Sequence, residues 1–328
     1  MNYPLVYQII YSLAALNGRD GALFGKSAPL AQEAFAHSVA CDAFPELWFE
    51  LPLAGEPWFD LHALTSRSDL QPGMTFSAER TGGYPLPFEW FAQQKDVRQL
   101  ALSWDVGSRG ATSPAIQLLM GRRNLDESSA FFDVVGRPEA VSGYRAFVKG
   151  LPRGWFACYA GTFPNRADAP LRVECIPTPE QQKAYAHDVS LLEADLRHVG
   201  LTDLGDTLLP RCQQLAATPY QLEFQFDITS EGTAGSTFGA SVRFAPPTKG
   251  DLSKTFDPSR EAGPLMEAVE GWGLADERWR LLQNTAFSKR VSMGDESLLL
   301  FCFPAFIKLR WRDGAPVDAK TYLMAGAQ

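Results

Sequence analysis

The sequence is poor in the residues that most often build a compact catalytic or metal centre. Its 328 residues hold only four histidines, His37, His62, His187 and His198, and these are scattered. The five cysteines, Cys41, Cys158, Cys175, Cys212 and Cys302, are odd in number and never spaced as Cys-x-x-Cys. Neither a disulfide framework nor a zinc site is indicated, and reduced cytoplasmic thiols are the simpler reading. Basic residues number 30 against 38 acidic ones, a net charge of −8, so nucleic acid is not an expected partner. No apolar run approaches a membrane span, and no membrane insertion is expected. A Gly-x-Ser-x-Gly elbow is missing as well. Gly21-Ala22-Leu23-Phe24-Gly25-Lys26-Ser27 imitates a phosphate loop, but the pattern needs a glycine where Asp20 stands, so a turn and helix cap is the default reading.

What is present is a folded chain with a coarse recurrence. Hydrophobic residues make up 45% and aromatic residues 12%, the composition of a globular protein. Near the start, Leu5, Ile9, Leu13 and Leu16 repeat at helical spacing, and no basic segment precedes them, so an amphipathic helix is expected rather than a signal peptide. Five times, a helical stretch is followed by two short strands forming a hairpin, at about 46–65, 99–121, 154–176, 221–245 and 298–324. The expectation is an α+β protein: a helical segment over 1–44, then five α-β-β units, all in one domain spanning 1–328. Ten antiparallel strands with helices on one face can close into a barrel. Thr178-Pro179-Glu180-Gln181 reads as a capping box opening one outer helix that runs to Gly200, with Tyr185, Val189, Leu192, Leu196 and Val199 along its apolar face. Glu231-Gly232-Thr233-Ala234-Gly235-Ser236 reads as a hairpin loop.

Each strand has two unlike faces. Leu171, Val173 and Cys175 alternate with Arg172 and Glu174; Leu222, Phe224, Phe226 and Ile228 alternate with Glu223, Gln225 and Asp227. In a closed barrel wrapped by helices, the apolar faces look outward and the polar faces line a lumen. Alternation then aims inward Trp48, Glu50, Trp58, Asp60 and His62 from the first hairpin, and Ser103, Asp105 and Gln117 from the second. The third contributes Trp155, Tyr159, Arg172 and Glu174, the fourth Glu223, Gln225, Asp227, Ser241 and Arg243, and the fifth Lys308, Arg310, Lys320 and Tyr322. Cys158 alternates onto the helix-facing side and reads as core. A bulge or a slip of one residue would invert any strand.

The basic group of Arg172, Arg243, Lys308, Arg310 and Lys320, with Tyr322, suits a diphosphate, whose oxygens meet arginine forks and lysine point charges. The alternative is that each cation only neutralises an inward acid such as Glu174 or Asp227. Trp48, Trp58, Trp155 and Tyr159, with His62 and Gln225, form a candidate pocket able to shield a developing carbocation, and Glu50 or Asp60 is a candidate to take a proton from an acceptor.

On these residues the chain resembles the ABBA-type prenyltransferases, in which five α-β-β units form a PT barrel around an allylic diphosphate. The resemblance extends from about Leu30 to Leu323. Lys320-Thr321-Tyr322 matches the family's Lys-x-Tyr diphosphate motif, and Glu50 in Glu46-Leu47-Trp48-Phe49-Glu50-Leu51, or Asp60 in Trp58-Phe59-Asp60-Leu61, matches its acceptor-assisting acid. Only one Lys-x-Tyr lies on a strand, and lumen tyrosines are few. The Asp-Asp-x-x-Asp motif of helical isoprenoid enzymes is absent, which agrees with the resemblance. It implies a prenyltransferase moving a dimethylallyl-like group from its diphosphate to an aromatic acceptor, or to a peptide or amino-acid side chain as in the cyanobactin branch. No organic cofactor is implied; inward carboxylates such as Glu50 could join diphosphate oxygens around Mg2+. The competing readings are a non-prenylating α+β protein binding a small molecule, and a protein-interaction module.

Overall fold

The structure is a computed structural model describing residues 9–15, 21–25, 46–70, 74–78, 81–95, 97–106, 114–120, 125–163, 170–244, 262–293 and 296–327. Leu5, Leu16, Lys26, Ser27, His37 and Cys41 lie outside them. Residues 9–15 are helical, as their spacing predicts, and Gly21–Phe24 forms one helical turn.

Eleven strands follow in chain order: β1 (Glu46–Pro52), β2 (Asp60–Ser66), β3 (Val97–Trp104), β4 (Ala115–Met120), β5 (Trp155–Thr162), β6 (Leu171–Pro177), β7 (Gln221–Ile228), β8 (Ala234–Arg243), β9 (Phe287–Met293), β10 (Glu296–Arg312) and β11 (Ala315–Ala327). Strands β1 to β8 pair with their sequence neighbours, β8 pairs with β10, β10 with β11, and β11 returns to β1. The result is a closed ring of ten antiparallel strands, which leaves no free edge within the ring. The five expected hairpins are its five strand pairs.

The eleventh strand, β9, was not anticipated. At 17 residues β10 is too long for β8 to cover: Phe306 to Arg312 pair with β8, while Glu296 to Cys302 pair with β9 along the same edge. A bulge between Pro304 and Phe306 marks the changeover. Proline cannot donate to a ladder, so a bulge is where a strand tolerates it.

The main core lies between ring and helices. Leu47, Phe49, Leu51, Phe59, Leu61, Leu171, Val173, Leu222, Phe224, Phe226, Ile307, Leu309 and Trp311 are buried in it, the outward faces expected from alternation. Against them pack Tyr185, Leu192, Leu196, Leu208, Cys212 and Leu215 from the helices Pro179–His187, Val189–His198 and Gly205–Ala216. Each such side chain contributes about 1.5–3 kcal/mol on burial. Where one helix was expected to run to Gly200 there are two, because Asp188 leaves helical geometry and its carboxylate accepts from the Ser190 N–H. Thr178 does cap the first of them, accepting from the Gln181 N–H at 3.3 Å, but the Gln181 side chain turns to Asp195 instead of closing the box. The β7–β8 hairpin loop spans residues 229–233, so of the expected stretch Glu231 to Thr233 are loop while Ala234, Gly235 and Ser236 already belong to β8. Among the described residues no helix is long and apolar enough to cross a membrane.

Candidate functional site

Period-two alternation in ten closed strands aims one face of each at a shared interior, and the ring encloses a cavity of about 390 Å³. Its wall has a polar part, built from Glu50, His62, Ser103, Gln117, Tyr159, Arg172, Glu174, Gln225, Arg243, Lys308, Arg310, Lys320 and Tyr322. The other part is apolar. Trp48, Leu64, Ala101, Phe303, Ala305 and Tyr322 form a second hydrophobic cluster, separate from the core under the helices, with Leu119, Phe306 and Met324 packed on it. Trp48 and Tyr322 were expected here, but Phe303, Ala305 and Phe306 were missed at the sequence level: β10 residues before Ile307 were not assigned a face, although Pro304 signals the bulge that brings Phe303 and Phe306 to the same side.

Four of the five expected cations are matched to carboxylates. Arg172 forks onto Asp227, with Nε donating to Oδ1 at 2.7 Å and an η nitrogen to Oδ2 at 3.2 Å. Arg243 meets Glu223 at 2.7 and 3.4 Å. Arg310 forks onto Asp318, Nε to Oδ1 at 2.6 Å. Lys320 donates to Glu50 and lies 3.8 Å from Asp60. The neutralising role is therefore present, and the three arginine pairs are organised as bidentate hydrogen bonds rather than loose contacts.

Lys308 is different. Among the described residues its ammonium forms no ion pair; it donates to the Gln225 amide oxygen, 5.9 Å from the Tyr322 ring centroid. Burial, with the Arg172 and Arg310 guanidiniums nearby, pushes it down to about 7. Glu174 is its counterpart, a lining carboxyl with no hydrogen-bond or ion-pair partner among the described residues. Burial and the neighbouring Glu223 carboxylate push it up to about 7. Gly239 makes room here: a Cβ on it would meet Lys308 Cε at 3.1 Å and Gln225 Cβ at 3.4 Å.

At the other side of the polar wall, Glu50 is fully engaged. One oxygen accepts from Lys320 and the other lies 3.0 Å from His62 Nε2. Burial alone would raise this carboxyl, but the Lys320 ammonium and the His62 hydrogen bond hold it well below the usual carboxylate range. Burial and the Glu50 charge push the Tyr322 hydroxyl well up. Around them is an aromatic wall: Phe306 stacks on Tyr322 at 3.9 Å, Trp48 lies 5.3 Å from Phe306, and the Arg243 guanidinium sits 5.2 Å from the Phe306 centroid. Such faces attract cations.

Not every expected residue lies on the cavity wall. Asp60, opposite Glu50 across the β1–β2 pair, sits behind Lys320, and Trp58 carries the Lys320 ammonium 4.6 Å from its ring centroid. Neither is among the lining residues. Trp155 does not face the lumen at all. It is buried in the outer core, its indole N–H donating to the Tyr185 hydroxyl at 2.6 Å and its ring 4.9 Å from Phe224. The reason is a bulge between Ala157 and Tyr159: Ala157 pairs with outward Cys175 and Tyr159 with inward Glu174, so strict alternation fails across Cys158. The same bulge takes Cys158 off the helix-facing core. It is half-buried, with Sγ donating to the Glu174 carbonyl at 3.4 Å, and burial with the Glu174 and Glu223 carboxylates pushes its thiol well up. Ser103, Asp105, Gln117, Tyr159 and Gln225 line the cavity as expected, and Glu46 joins them, accepting from the Trp48 indole.

Magnesium finds no ready cage. Among the described residues no three His, Cys, Asp or Glu side chains converge on a common point, and both Glu50 oxygens are taken. Glu50 does not fit as a magnesium ligand in this arrangement.

No family model matches the chain, and no curated protein matches its sequence. Solved structures do match its shape. The 5-dimethylallyltryptophan synthase from Streptomyces coelicolor aligns with a TM-score of 0.54 over 96% of this chain and 93% of its own, at 10% identity. The prenyltransferase PriB in its apo form aligns with a TM-score of 0.53 over 97% and 95%, at 11% identity. The chain folds as a PT barrel. PriB solved with L-tryptophan and dimethylallyl thiolodiphosphate also aligns, with a TM-score of 0.50 over 96% and 94% at 11% identity. At these identities the likeness is one of PT-barrel architecture, and the lining of this barrel must be judged on its own residues.

Proposed function

We propose that this PT barrel transfers an allylic prenyl group from its diphosphate to an aromatic acceptor held in the lumen. The observation that carries the reading is the two-part cavity: a cationic region around Lys308 beside an aromatic and aliphatic one. A prenyl diphosphate has the same two parts. Its diphosphate would displace Gln225 from Lys308 and draw on the Arg172 and Arg310 forks and the Lys320 ammonium, each already oriented by its carboxylate. The allylic chain would lie along Trp48, Phe306 and Tyr322. As the C–O bond breaks, charge separates in the lumen, where fixed dipoles and charges stabilise it. The aromatic wall faces the developing cation.

Tryptophan is the acceptor to try first, because the structural relatives are a dimethylallyltryptophan synthase and a prenyltransferase solved with L-tryptophan. A peptide carrying tryptophan or tyrosine is the second, in keeping with the wider class. The test is incubation of the protein with dimethylallyl diphosphate and each acceptor, followed by mass spectrometry. A product heavier by one prenyl group supports the reading; intact donor with every aromatic acceptor contradicts it.

One observation favours a second reading. With four cations matched to carboxylates and Glu174 in the wall, the lumen has no large positive excess, which suits a neutral or zwitterionic ligand bound without transfer. That reading predicts tight binding of an amino acid or apolar amine, and no release of diphosphate from any prenyl donor.

A further inference from the structure

On one side of the cavity, three side chains from neighbouring strands form a row: Glu50 on β1, His62 on β2 and Ser103 on β3. His62 Nε2 lies 3.0 Å from Glu50 Oε2, and His62 Nδ1 lies 2.5 Å from Ser103 Oγ. All three line the cavity, and His62 pairs directly with Ser103 across β2 and β3.

The chemistry of the donors assigns the protons. Glu50 is held ionised by Lys320 on its other oxygen, and an ionised carboxylate only accepts. A neutral His62 must therefore carry its proton on Nε2 and present a lone pair at Nδ1. The partner at Nδ1 then has to donate, so the Ser103 O–H points at the ring and its oxygen lone pairs are left for the cavity. A carboxylate fixing the tautomer, an imidazole and a hydroxyl on its free nitrogen is the arrangement that activates a hydroxyl. The roles of the two ring nitrogens are exchanged relative to the usual triad, but the logic is the same. Glu50 itself is a poor base, since both oxygens are occupied and its carboxyl is held low.

We propose that Ser103 is the group that takes the proton from the acceptor, with His62 holding that proton and Glu50 fixing the ring. This rests on the prenyl-transfer reading. In the step, the donor C–O bond breaks and its electron pair leaves with diphosphate, while a ring π pair of the acceptor forms the new C–C bond. The proton on the attacked ring carbon passes to Ser103 Oγ as the Ser103 proton passes to His62 Nδ1. The acceptor regains aromaticity, and the new imidazolium faces the Glu50 carboxylate. Ser103 is thus a catalytic residue, and His62 and Glu50 are positioning residues that act through it.

Two measurements test it. Nitrogen-15 NMR of the full chain labelled at histidine reads the tautomer without any substrate, with His62 assigned by the signals lost in His62→Gln. The expected result is a protonated Nε2 and a bare Nδ1 in the wild type, and loss of that preference in Glu50→Gln. In the transfer assay, Ser103→Ala should lower kcat about a hundredfold with the donor KM unchanged, and Ser103→Thr, which keeps a hydroxyl, should recover most of the rate. Melting curves show that each variant is folded. A protonated Nδ1, or full kcat in Ser103→Ala alongside an active wild type, overturns the role of Ser103 alone. A wild type that transfers to no acceptor overturns the prenyl-transfer reading, and the role of Ser103 with it.

Discussion

Lys308 is the residue at which binding and stability should pull in opposite directions. Its pKa is pushed from an ordinary 10.5 to about 7, so keeping its ammonium charged inside the barrel costs roughly 5 kcal/mol. Between those values the folded chain binds fewer protons than the unfolded one. The cost is therefore present in full below about pH 7 and fades as pH rises towards 10.5. Lys308→Met keeps a flexible side chain of similar length and removes the charge. The substitution orphans the Gln225 amide oxygen, at a cost of about 1 kcal/mol. Relaxation and water reaching the site reduce the rest, leaving a net gain on the order of 2 kcal/mol at pH 6 and little at pH 10. For a chain of this length that is a rise of about 3 °C in melting temperature. The same variant should lose most of its affinity for dimethylallyl diphosphate. Differential scanning fluorimetry at pH 6 and pH 10, with and without donor, measures both. A variant that melts lower than the wild type at pH 6, or that is protected by donor to the same extent, refutes the reasoning.

Three further outcomes follow from the geometry. Asp227→Asn removes the carboxylate under Arg172, a pair whose side chains are 11% and 18% exposed, and should cost about 3–5 kcal/mol in urea unfolding because a buried guanidinium is left uncompensated. Gly239→Ala places a methyl group against Lys308, so it should weaken donor binding while shifting the melting temperature little, because the flexible end of Lys308 can move. Trp155→Phe should lower stability by about 1–2 kcal/mol through loss of the Tyr185 hydrogen bond and leave donor affinity unchanged, since the ring lies outside the barrel; an altered Kd would place it back in the site.

The barrel was legible in the sequence because its strands have two chemically different faces. In Leu171 to Cys175 and Leu222 to Ile228 the apolar set repeats every second residue, and the fold keeps those residues in the core outside the ring. What interrupts the period was harder to see. Nothing in Trp155-Phe156-Ala157-Cys158-Tyr159 marks the bulge that turns Trp155 outward, whereas Pro304 does mark the one in β10. Strand β9 has no alternation to find: Phe287-Ser288-Lys289-Arg290-Val291 mixes apolar, polar and basic residues, and it is a strand only because β10 outruns β8.

The charge pairing was legible in kind but not in detail. Arg172 and Asp227, like Arg310 and Asp318, stand directly opposite one another. Arg243 instead reaches Glu223 diagonally, since its own register partner is Gln221, and Lys320 reaches Glu50 from opposite Pro52. Such pairings depend on the register between strands, which composition and period do not encode. The row from Glu50 through His62 to Ser103 has the same origin, for it joins three strands whose residues were each expected inward but had no stated relation.

The central claim is that the lumen receives a prenyl diphosphate. Isothermal titration of the wild type and Lys308→Met with dimethylallyl diphosphate tests it most directly. The account predicts saturable binding of one equivalent by the wild type and a loss of at least tenfold in affinity in the variant, about 1.4 kcal/mol. No heat of binding in the wild type, or equal affinity in the two proteins, would contradict it.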